Sequence, residues 1–110
     1  MSPNFALSLR SGDVLEIAFP VFRPRITIHS ERKLTVEVLS GDNVGVSDTV
    51  EYQAMNIRDG LVMLSWRERI GSTVVHVLDL AAQTAYTAVT PAKGGFMRLI
   101  GRIERPAAPV

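Results

Sequence analysis

Apolar side chains recur at every second position along most of this chain. Leu7 and Leu9, then Leu15, Ile17 and Phe19, then Ile26 and Ile28, then Leu34, Val36 and Val38 keep that spacing. Val62, Leu64 and Trp66, Val75 and Val77, and Leu99, Gly101 and Ile103 continue it. A two-residue period puts alternate side chains on opposite faces and marks a half-buried strand. Glycine and proline cut the chain into short pieces, among them Gly12, Pro20, Pro24, Gly41, Gly45, Gly60, Gly71, Pro91, Gly94 and Gly95. Ser11-Gly12-Asp13 and Asp59-Gly60 have the chemistry of hairpin turns. The pattern predicts strands near 5–10, 14–19, 25–30, 33–40, 48–57, 61–69, 73–80, 83–90 and 96–104. Short strands at even spacing make an antiparallel meander, which removes its edges by closing into a barrel.

Two windows fit helical spacing as well. Val46, Val50, Ala54 and Ile57 fall at i, i+4, i+8 and i+11 behind the capping candidates Ser47 and Asp48. Leu78, Ala81, Ala82 and Ala85 pose the same question, which the β-branched run Thr73-Val74-Val75 tips toward strand. On its own pattern 48–57 stays open between helix and strand.

Composition narrows the chemistry. Val, Ile and Thr supply 27 of the 110 residues, a bias toward pleated surfaces. The length fits one domain over 1–105, with 106–110 read as a frayed, proline-punctuated tail. A net charge of +1 argues against a polyanionic partner held by bulk charge, so no nucleic acid is expected. Arg23, Arg25, His29, Arg32 and Lys33 form a basic cluster without the aromatic platform of single-strand binders, and read as a charged strand edge. No apolar run approaches the ~20 residues of a spanning helix, and no signal peptide is read, so the expected location is cytoplasmic, away from membranes. The absence of cysteine excludes disulfides, thiolate nucleophiles and Cys-based metal sites.

The run Tyr52-Gln53-Ala54, Ile57-Arg58-Asp59-Gly60, Ser65-Trp66-Arg67-Glu68 and Gly71-Ser72-Thr73-Val74-Val75, ending at Asp79, resembles the MoaF-like proteins. These are small bacterial domains named from a molybdenum-cofactor gene neighbourhood. The likeness extends more loosely over about residues 30–104, including Gly95-Phe96 and Gly101. It implies an all-β, antiparallel up-and-down lipocalin-like (calycin) barrel of about eight or nine strands, with 48–57 as a strand. The same segment is similar to part of the phenolic acid decarboxylases, which share that barrel. Their tyrosine pair and arginine, which hold the substrate carboxylate, correspond here to Leu7, Leu9 and a position near Leu39, and only Asp59 stands near their catalytic glutamate. The resemblance therefore does not bring that activity with it.

Trp66 and Glu68 lie two apart, so one face carries both together with Val62 and Leu64. They read either as the wall and polar anchor of a ligand pocket or as core filling beside a rim carboxylate. His76 shares a face with Val74 and Leu78; as an acid or base it needs a partner, for which Glu68 is a candidate, and Glu68 could instead work with Asp59. Tyr52, Tyr86 and Arg98 complete the candidate ligand contacts. His29 and His76 are too far apart in sequence to suggest a metal motif, Lys93-Gly94-Gly95 is a turn rather than a phosphate loop, and no serine nucleophile motif is read. No metal or cofactor is expected.

The leading expectation is a barrel that binds a small aromatic molecule or organic acid, with Trp66, Glu68, Tyr52, Tyr86, His76 and Arg98 as contacts. The alternatives are an acid–base lyase or isomerase using Glu68, His76 or Asp59, and an interaction module with a filled core. Met55, Met63 and Met97 suggest an adaptable outer surface and a homodimer.

Overall fold

A computed structural model of the chain describes residues 9–106. Eight strands form where the two-residue period runs: β1 (Val14–Ala18), β2 (Phe22–Ile28), β3 (Lys33–Gly41), β4 (Ser47–Arg58), β5 (Leu61–Arg67), β6 (Thr73–Asp79), β7 (Thr84–Thr90) and β8 (Met97–Glu104). Each pairs antiparallel with the next, and β8 returns to β1, so the sheet closes into an up-and-down barrel. The ambiguous window 48–57 is strand, inside β4. Residues 5–8 of the expected first strand lie outside the described residues, and Leu9 is a buried residue before β1. All of the expected tail except Pro106 also lies outside them.

Proline misplaced one boundary. Pro24 reads as a break, yet β2 begins at Phe22 and runs through it. The β2–β3 register shifts between Arg23 and Pro24, and such an irregularity tolerates a residue with no N–H to donate. The basic cluster is no strand edge either, because a closed barrel has none. Arg23 and Arg25 instead lie across Glu16, Arg23 also pairs with Glu104, and Arg25 reaches Glu37 at 3.7 Å. These pairs cross the outside of β8, β1, β2 and β3, and the Arg23 hydrogen bond, with Arg25 adding to it, holds the Glu16 carboxyl below its usual range.

The interior is built in layers by register. Asn56, Val62, Leu78, Ala85 and Gly101 oppose one another across β4 to β8. Above them come Leu64, His76, Thr87 and Leu99, with Ala54 exposed at the β4 end of the row, then Tyr52, Trp66, Val74, Val89 and the exposed Met97. On the other wall Leu15, Ile17, Ile26, Ile28 and Leu34 are almost wholly buried. Gly101 lets β8 approach β1: a Cβ there would lie 2.7 Å from Phe19 and 2.8 Å from Ile17. The end of the barrel bounded by the β2–β3, β4–β5 and β6–β7 turns is therefore packed solid. The opposite end is not.

Candidate functional site

At the end bounded by the β1–β2, β3–β4, β5–β6 and β7–β8 connections the barrel opens into a cavity of about 610 Å³. Its walls are mostly apolar: Phe22 and Pro24 from β2, Val36 and Val38 from β3, Trp66, Val74 and Val89 from β5 to β7. Polar groups enter through His76, Ser72, Asp48 and Glu68. The turn carrying Glu68 and Ser72 is closed by Glu68 N–H donating to the Ser72 carbonyl at 2.7 Å and Gly71 N–H donating to the Glu68 carbonyl at 2.8 Å. Gly71 sits at φ 96°, a conformation that glycine adopts cheaply.

Trp66 is 6% exposed and stands between the two ionisable candidates. Its indole Nε1–H donates to Glu68 Oε2 at 3.3 Å, and its ring meets His76 edge-on, centroids 5.0 Å apart. Glu68 and His76 are thus both neighbours of Trp66 rather than a hydrogen-bonded pair. Burial pushes the Glu68 carboxyl above its usual range; the Trp66 hydrogen bond opposes that shift and the Asp48 charge adds to it. Burial also drives His76 down to about 4, so its imidazole is neutral at physiological pH. Phe19 stacks on its other side at 6.2 Å. Its Nδ1 lies 2.6 Å from the hydroxyl of Thr87, the residue directly opposite on β7. Arg69 contributes the one basic side chain among the described cavity residues besides His76, but it is largely exposed and pairs with Asp48 at 3.5 Å, while its N–H donates to the same carboxylate.

Four of the expected site residues fall elsewhere. Tyr52 shares the inward face with Trp66, but its hydroxyl donates to the Ser30 carbonyl at 2.7 Å, which ties it to the β2–β3 turn and away from the cavity. Tyr86 and Arg98 sit on outward positions of β7 and β8, because Ala85 and Thr87, and Leu99 and Gly101, take the inward ones. Asp59 lies in the exposed β4–β5 turn at the packed end. Asp48 and Ser72 also line the cavity, and Thr87 supports His76 from the neighbouring strand; none of the three was among the expected contacts. Among the described residues no group of three or more His, Asp or Glu is placed to hold a metal. A second depression, between β1, β8 and the β6–β7 turn, is a more open groove on the outer surface.

The barrel, the Trp66–Glu68 face and the Gly71 turn agree with a family match that spans nearly all the described chain. The chain belongs to the MoaF-like family. The matching residues are 11–104. Seven solved chains are similar to it. One, described as a "putative beta-lactamase" from Burkholderia vietnamiensis, shares 25% identity over 90% of this chain and all of its own length, with a TM-score of 0.84. No curated protein matches this MoaF-like barrel.

Proposed function

We propose that this protein binds a small, largely apolar molecule inside the open end of its barrel. The carrying observation is the cavity itself: about 610 Å³ falls in the usual range for small-molecule sites, and Trp66 forms part of its wall. An organic acid was one expected ligand, but the candidate cation Arg98 points outward and Arg69 is already paired with Asp48. The interior favours an uncharged ligand. The chain has a single tryptophan, so its emission reports on this wall alone. Titration with the neutral fluorescent probe N-phenyl-1-naphthylamine should quench Trp66 by energy transfer and raise the melting temperature. If neither changes, the reading is wrong.

The name of the Burkholderia vietnamiensis protein raises lactam hydrolysis, which needs an activated serine or a metal-bound hydroxide. Contrary to the expectation of no serine motif, Ser30-Glu31-Arg32-Lys33 has the Ser-x-x-Lys spacing. Its hydroxyl, however, accepts the N–H groups of Arg32 and Lys33 in the exposed β2–β3 turn, at the end without the cavity. We carry no such activity to this chain. The acid–base alternative keeps Glu68 and His76 and loses Asp59; a bell-shaped pH–rate profile abolished by Glu68→Gln would establish it.

One observation favours a second copy as partner. Met55, Met63, Val77, Tyr86 and Ile100 oppose one another in register across β4 to β8 and all face outward. They form an apolar stripe roughly 19 Å long, from four strand spacings. A stripe that is apolar along its whole length is complementary to itself under a two-fold axis, and a net charge of +1 opposes pairing little. Sedimentation at micromolar concentration should find a dimer that Tyr86→Glu dissociates; a monomer throughout removes this reading.

A further inference from the structure

The His76–Thr87 pair says which kind of ligand the cavity reads. Thr87 is 5% exposed, and among the described residues its hydroxyl bonds only to His76 Nδ1, at 2.6 Å. A buried hydroxyl needs an acceptor for its proton, and here Nδ1 is that acceptor. With Thr87 donating, Nδ1 is unprotonated and the single proton of the neutral ring sits on Nε2; the opposite tautomer would leave the Thr87 proton without an acceptor among the described residues. Phe19 and Trp66 hold the ring from two sides, so it cannot turn to exchange the nitrogens without repacking both. The ring is 3% exposed and lines the cavity, and Nε2 has no hydrogen-bond partner among the described residues. Nε2 is not among the fully enclosed side-chain atoms without a partner, so it opens to the cavity, where a ligand oxygen can accept its proton in place of water.

Among the described residues the charged side chains around the cavity, beside the neutral His76, are Asp42, Asp48, Glu68 and Arg69. Asp48 and Glu68 both face it, and Arg69 is engaged by Asp48. Building on the ligand-binding reading above, we propose that the cavity selects uncharged ligands bearing a carbonyl-type oxygen, which His76 Nε2–H binds at the inner wall, and that it rejects carboxylates. Thr87 acts as the positioning residue that fixes the donor nitrogen.

Three probes of one shape test this: naphthalene, 2-acetylnaphthalene and 2-naphthoate, each titrated against Trp66 emission at neutral pH. The acetyl compound should bind about tenfold tighter than naphthalene, as one buried hydrogen bond allows, and naphthoate should bind weakest. His76→Phe keeps an aromatic ring and should bring the acetyl compound down to the naphthalene level. Imidazole nitrogen NMR of the unaltered protein should place the proton on Nε2, which keeps the test decisive if the variant fails to fold. A proton on Nδ1, or equal binding of acetylnaphthalene and naphthalene, overturns the proposal alone. Failure of all three probes to bind overturns the ligand-binding reading and this proposal with it.

Discussion

The two ends of this barrel are made from the same strands and the same two-residue alternation, yet one is solid and the other hollow. At the solid end the inward positions hold Val62, Leu78 and Ala85, all almost wholly buried, and Gly101, against which Phe19 and Ile17 pack directly. At the hollow end the inward row holds Trp66, Val74, Val89 and Met97, and the polar groups lie on or beside it. Alternation decides which residues face inward. Side-chain volume at each level decides whether the inside is full.

The contrast is broken most strongly at the solid end. Leu78 is fully buried there, so Leu78→Ala should leave an unfilled hole and cost about 3–4 kcal/mol in denaturant unfolding. Next comes pH. His76 titrates at about 4 when folded against an ordinary 6.5, so between those values the unfolded chain takes up a proton that the folded chain refuses. Stability should fall as pH drops from 6.5 toward 4, by up to about 3 kcal/mol, and His76→Phe should flatten that slope. Trp66 borders empty space, so Trp66→Ala should cost only about 2 kcal/mol, below the roughly 3–5 of a fully packed tryptophan. A loss as large as that of a packed tryptophan would mean that the open end is filled in solution. The smallest effect belongs to Glu68. Its raised pKa means that ionisation costs stability as pH rises through the folded value, so Glu68→Gln at pH 7 should be neutral or stabilising by less than about 1 kcal/mol. A clear destabilisation would show instead that the carboxylate has a structural partner that the amide cannot replace.

The strands were legible because Val, Ile and Leu repeat so regularly from Leu15 to Ile103 that the period survives the loss of single positions. The same period put Trp66, Glu68 and His76 on the inward face, and all three line the cavity. Tyr86 was an expected ligand contact, and register puts it outward, opposite Val77 and Ile100, while Ala85 and Thr87 on either side are buried. Tyr52 was placed on the correct face, and only the Ser30 carbonyl, 22 residues away, removes its hydroxyl from the cavity. Thr87 could have been found: once His76 is taken as inward, the β6–β7 hairpin register puts a threonine opposite it.

The seam between β1 and β8 has a consequence for how the barrel is made and unmade. Seven of the eight ladders join strands adjacent in sequence and form within single hairpins, whereas the eighth joins the first strand to the last. That ladder is short, running from Glu16–Glu104 to Ala18–Arg102, and it needs nearly the whole chain to be gathered before it contributes anything. Closure should therefore come late in folding, after the transition state. Weakening the seam, as by Ile17→Val, should then accelerate unfolding while leaving the folding rate almost unchanged. Since a cavity exists only inside a closed ring, a ligand held there would act in the same direction as the seam, slowing the ring's opening rather than hastening its assembly.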